Sequence, residues 1–302
     1  TITDQPELLI FGMLASLLAA AIWLTVASRK GWPVSTTHSI VGAVVGFAAV
    51  GIGMDAVNWS KVGSIVMSWV VSPLTSGIMA FLIFQSVQVL ILRADDPLQK
   101  AKRYVPIYIF MTAFFLTLLT IKKGLKHVTN IHIETADAYL YAALIGVVVA
   151  LIGAVFISKI KPNPKKEKDF HFYTVEKVFA ILMVITASGL AFAHGSNDVA
   201  NAVGPLAAVV STAQSGMIAS KSALPVWILF VGAIGIVIGL ATYGRKVMAT
   251  VGKKITHLTP SRGFAAELAA SVTIVVASST GMPISTTHTL VGAVLGVGLA
   301  KG

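Results

Sequence analysis

The chain has 302 residues, 56% of them hydrophobic and 12% charged, with a formal net charge of +11. A soluble domain carries about 25% charged residues, so soluble enzymes, disordered tails and nucleic-acid-binding modules are excluded as readings. The 23 Lys and Arg sit almost entirely between apolar runs, as membrane-flanking loops do. The absence of cysteine removes disulfides, thiolate metal sites and a cysteine nucleophile.

About 20 apolar residues cross a bilayer. Residues 7–28 form the first such run and end on Arg29 and Lys30. No basic region precedes this run and no cleavage site follows it, which argues against a signal peptide. Residues 62–92 form a long run interrupted by Pro73, expected as a kinked span or two shorter pieces. Further spans are expected over 104–121, 138–158, 175–193, 223–243 and 264–280. Loops 93–103 and 159–173 hold nine basic residues against three in loop 122–137, so the former two are expected on the cytoplasmic side. The polar stretch 159–174, with Pro162 and Pro164, is the expected linker between two halves, 1–158 and 175–302.

Internal symmetry supports those halves. Residues 19–46 match residues 269–296 at an offset of 250, with 16 of 28 positions identical. The shared core is Gly31-Trp-Pro33-Val-Ser35-Thr36-Thr37-His38 against Gly281-Met-Pro283-Ile-Ser285-Thr286-Thr287-His288. Proline and Ser/Thr favour a helix start, so each block predicts a helix opening after an extended break. The free N–H groups at such a start favour anions, and the hydroxyls of Ser35–Thr37 and Ser285–Thr287 add donors. Duplication around a pseudo-two-fold axis is a common transporter design.

The second polar segment is His194-Gly195-Ser196-Asn197-Asp198-Val-Ala-Asn201, followed by Gly204-Pro205. Carboxamides and a carboxylate within apolar sequence are expensive and point to function. Asn197 and Asn201 share a helix face, and Gly204-Pro205 is expected to break or kink that helix. Oxygen donors of this kind suit a hard cation such as Na⁺. Glu267 is a third acid within apolar sequence, a cation or proton ligand or a wetted residue near a span end; its counterpart at the offset is Leu17. Ser35, His38 and Asp198 are the residue types of a hydrolytic triad. No nucleophile motif is present and both blocks repeat the Ser/His pair, so capping or polar packing is the expected role of His38 and His288. The loop histidines His127, His132 and His171 lack ligand spacing. The pairs Gly42/Gly46, Gly235/Gly239 and Gly292/Gly296 are expected at close helix contacts.

The joint presence of GSNDVANAVGP and two GxPxSTTHxxVGAVxG blocks resembles the inorganic phosphate transporter (PiT) family of cation–phosphate symporters. The resemblance implies an all-α polytopic membrane protein with two inverted repeats, whose broken or re-entrant helices meet at a midplane site. It implies phosphate import by symport with Na⁺ or H⁺, with sulfate or another oxyanion as the alternative substrate. It assigns phosphate to Ser35, Thr36, Thr37, Asn197, Asp198, Asn201, Ser285, Thr286 and Thr287, and the cation to Asp198, Asn201 and Glu267. No catalytic residue, cofactor or nucleic acid is implied; a homo-oligomer stays open, and the motif wording has a bacterial inner-membrane flavour. The family carries one ND motif per repeat, and only the second is present here. The resemblance therefore also implies further helix beyond both ends of these 302 residues.

Overall fold

The computed structural model describes residues 5–121, 134–161, 172–218, 224–279 and 284–301. Among these residues the chain is helical, with no strand. Helix α1 spans Pro6–Lys30, α2 Thr36–Phe47, α3 Trp59–Val87, α4 Pro97–Leu119 and α5 Thr135–Ser158. Helix α6 spans Tyr173–Ser215 and α7 Val226–Gly239. Helix α8 is the short Arg245–Ala249, α9 spans Pro260–Ser279 and α10 Thr286–Lys301. Wide π turns extend α2 to Ile52 and α3 to Leu92, and join α7 and α8 into one run ending at Ile255. Among the described residues five helices have the length and composition to cross a membrane: Pro6–Lys30, Trp59–Leu92, Thr135–Ser158, Tyr173–Ser215 and Val226–Ile255.

At both prolines the structure decides against a break. Pro73 lies inside α3, which is one helix rather than two pieces. Pro205 lies inside α6, which runs unbroken from Tyr173 to Ser215, past the expected end at residue 193. Each proline removes one backbone donor, from the Trp69 and Asn201 carbonyls respectively, yet the flanking turns keep their own bonds and the helix continues. Residues 122–133 and 162–171, with their lysines and with His127, His132 and His171, lie outside the described residues. So do residues 280–283, where the second extended break is expected.

The chain divides into two compact units. The first comprises Thr1–Val71, His194–Ile255 and Met282–His288. In it, Val203, Ala207 and Ile228 form a buried cluster supported by Val199, Leu206 and Val210. The Ser16 hydroxyl lies 2.8 Å from the Gly12 carbonyl and 3.2 Å from that of Ala43, which ties α1 to α2. The second unit comprises Ser72–Ala193, Thr256–Gly281 and Thr289–Gly302. Its α4 and α5 bury Leu118 against Ala138 and Ala142. Phe264 of α9 sits between the rings of Tyr108 and Phe179, at 5.5 and 5.7 Å.

Candidate functional site

Both STTH blocks start a helix, as their residue chemistry predicts. Ser35 is the N-cap of α2, and its hydroxyl accepts the His38 N–H at 3.1 Å. Ser285 does the same for α10, accepting the His288 N–H at 3.0 Å. A serine oxygen at this position satisfies one of the unpaired donors of the first turn. Ser35 and Ser285 are thus occupied as caps, and the next residue of each block faces the polar segment of α6.

That segment is part of an unbroken helix, so its side chains keep helical spacing. Asp198 is the centre of the cluster. The Thr36 hydroxyl donates to its Oδ2 at 2.8 Å, and the Thr286 hydroxyl lies 3.1 and 3.3 Å from Oδ1 and Oδ2. Threonines at the same motif position in the two repeats therefore meet on one carboxylate. Asn197 Nδ2 donates to Oδ1 at 3.2 Å. Asn201 Nδ2 reaches the hydroxyls of Thr36 and Thr37 at 3.3 and 3.1 Å. The Thr37 hydroxyl in turn lies 3.3 Å from the Ile284 carbonyl, which carries the first block onto the second. Thr287 is half-buried and is the one threonine of the set without a side-chain hydrogen bond to the described residues.

His194 opens the polar segment without an expected role, yet its Nε2 lies 2.9 Å from Asp198 Oδ2. The signal was in the spacing: residues four apart on a helix share a face. The two block histidines also meet. The rings of His38 and His288 stand edge to face at 4.4 Å, and His38 lies on Trp69 at 3.7 Å. The His38 backbone, not its imidazole, bonds Ser35, so the triad geometry is absent and the packing role stands.

Glu267 belongs to the second unit, on α9. The Thr186 hydroxyl of α6 donates to its Oε2 at 2.6 Å. Thr186 was not foreseen. Among the described residues, no group of three or more His, Asp or Glu has the arrangement of a metal site.

As chemistry, the cluster around Asp198 holds one carboxylate, two carboxamides and three threonine hydroxyls. The cap serines leave the N–H groups of Thr36, Thr37, Thr286 and Thr287 without partners among the described residues. Hydroxyls and amides both donate and accept, and the paired helix starts favour negative charge. Such a set can hold an oxyanion and a hard cation side by side.

The model of the phosphate transporter family matches residues 1–302. A Haemophilus influenzae protein named provisionally as a phosphate permease is 52% identical over 303 residues, which cover 99% of this chain and 71% of that protein. The chloroplastic inorganic phosphate transporter 2-1 of Arabidopsis thaliana is 38% identical over 98% of this chain and 53% of its own length. A solved structure described as the sodium-dependent phosphate transporter superposes with a TM-score of 0.85 at 38% identity, covering 99% of this chain and 72% of that one. This chain, a multi-pass integral membrane protein, belongs to the phosphate transporter family.

Proposed function

We propose that the chain carries inorganic phosphate across the membrane in symport with Na⁺, binding the anion at the cluster around Asp198. The observation that carries this reading is the meeting of Thr36 and Thr286 on one carboxylate. Phosphate oxygens accept hydrogen bonds from the same hydroxyls, so anion and carboxylate compete for them. No Arg or Lys lies in any of the three motifs to offset the combined charge. A cation bound at Asp198 does so, and frees the threonines for the anion. The Asn201 carbonyl, to which Pro205 brings no N–H, and the Asn197 and Asn201 carboxamides are oxygens suited to Na⁺. Glu267, held by Thr186, takes a second cation. Ser35 and Ser285 fix the helix starts, while Thr37 and Thr287 complete the donor set. A protonated phosphate also donates to Asp198, which sulfate cannot do at neutral pH.

The halves 1–158 and 175–302, joined by the linker 159–174, act as inverted repeats that rock around the site. Sodium is favoured over protons by the likeness to a sodium-dependent transporter, and a bacterial inner membrane by the motif wording and the Haemophilus influenzae relative.

The test is labelled-phosphate uptake into proteoliposomes under an imposed Na⁺ gradient, then an imposed H⁺ gradient, with sulfate as competitor. Uptake driven by Na⁺ and insensitive to sulfate is expected. Loss of a charged acceptor with two or more hydrogen bonds predicts that Asp198→Asn lowers phosphate uptake by on the order of 100-fold. It also narrows the preference over sulfate. Uptake driven by H⁺ alone replaces the cation; sulfate flux in place of phosphate overturns the substrate.

A further inference from the structure

A second cationic cluster lies at the far end of α1, outside the groups described above. The last turn of α1 carries Arg29 and Lys30, and Gly31 ends the helix in the left-handed conformation at φ 72°. A Cβ at Gly31 would stand 3.3 Å from both the Lys246 carbonyl and the Thr250 hydroxyl, so the α8 segment packs directly on this turn. Arg29 Nε donates to the Tyr243 hydroxyl at 3.1 Å, with its guanidinium carbon 5.7 Å from the ring centre. Lys246 Nζ lies 3.4 Å from the Arg29 carbonyl, and Lys30 Nζ lies 4.7 Å above the Trp32 ring. All these residues belong to the first unit.

Three exposed cations therefore meet at the last turn of α1, two from that turn and one from α8, and none of them pairs with a carboxylate among the described residues. Their partners are neutral: a phenol, a carbonyl and an indole face. Charge at a helix C-terminus is stabilising and accounts for Arg29 and Lys30 on α1, but not for Lys246, which α8 brings to the same place. Tyr243 orients the guanidinium through Nε and leaves its two terminal nitrogens for a bidentate acceptor. Trp32 packs at 6.4 Å from Trp23, and both indoles are about half-exposed. Indole rings beside basic side chains at the end of an apolar helix are the residue types that sit at lipid headgroup level.

We infer that Arg29, Lys30 and Lys246 bind the phosphate diester of an anionic phospholipid, with Trp23 and Trp32 against its glycerol and upper acyl chain. The paired exposed indoles favour the lipid over free phosphate, because a small hydrated anion gains nothing from them. This inference stands apart from the transport reading, since it concerns lipid retention and not uptake.

Detergent-purified protein is incubated with phosphatidylglycerol or with phosphatidylcholine of the same chains, and retained lipid is counted by native mass spectrometry. Wild type is expected to retain phosphatidylglycerol selectively. At about fivefold per charge near an anionic surface, R29Q/K246Q lowers that retention about 30-fold. K253Q/K254Q removes the same charge elsewhere in the unit and leaves retention unchanged. Should R29Q/K246Q fail to fold, K30Q, whose ammonium lies over the Trp32 ring, carries the test with a loss of about fivefold. Unchanged retention in the variants overturns the site, and so does an equal loss in K253Q/K254Q. Displacement of the lipid by millimolar inorganic phosphate assigns the cluster to the free anion and overturns the lipid.

Discussion

The two GxPxSTTH blocks are nearly identical in sequence and are used differently. Both cap a helix with serine and both place a threonine on Asp198. Beyond that turn they part. Gly292 and Gly296 of α10 lie on α3, where an added Cβ would overlap the backbone of Pro73 and Gly77. Gly42 and Gly46 of α2 have nothing within 4 Å of such a Cβ. Around them, Ala293, Val294 and Val297 of α10 are buried, while α2 buries only Thr37 and Ile40. A local motif dictates the helix start and the first donors; what the rest of the helix does depends on which neighbour reaches it.

This contrast is sharpest at the glycines. Inserting a methyl into a closed helix contact costs roughly 1–3 kcal/mol through displaced backbone. Replacing an unhindered helical glycine by alanine gains about 0.5–1 kcal/mol instead. Gly292→Ala and Gly296→Ala are expected to lower the Tm in detergent, and Gly42→Ala and Gly46→Ala to raise it slightly. Equal losses at all four positions would show that α2 is packed as tightly as α10 and end the comparison.

The threonines come next. Thr36 donates to Asp198 and also accepts from Asn201, whereas Thr286 donates to Asp198 alone. The additional neutral hydrogen bond is worth about 1 kcal/mol. Thr36→Val is therefore expected to weaken apparent phosphate affinity about fivefold more than Thr286→Val, measured by the phosphate dependence of uptake. Equal effects would mean that the Asn201 contact adds nothing to binding.

Much of this was legible in the residues themselves. Length and hydropathy located the helices over 7–28, 138–158 and 223–243, because a bilayer demands an apolar run of fixed length. Pro, Ser and Thr announced the helix starts, because capping is a contact between residues three apart. At Pro73 and Pro205 the sequence leaves break and kink both open: loss of one N–H is a local deficit, and in α3 and α6 the surrounding turns keep the helix continuous. His194 beside Asp198 was readable from i, i+4 spacing. Thr186 beside Glu267, 81 residues away, was not, and neither was the difference between Gly42/Gly46 and Gly292/Gly296. Those contacts are made by helices distant in sequence, and apolar patterning does not say which helix meets which.

The smallest expected difference lies at the caps, where the two blocks should behave alike. Ser35 and Ser285 accept the N–H three residues on at 3.1 and 3.0 Å, and both are buried. Removing a serine cap costs about 1 kcal/mol. Ser35→Ala and Ser285→Ala are expected to lower stability by similar amounts, within a few tenths of a kcal/mol of each other. Thermal unfolding of the two variants side by side measures this. A markedly larger loss at Ser285 would mean that the dense packing around α10 extends into its first turn, and that even the cap is not independent of the neighbour.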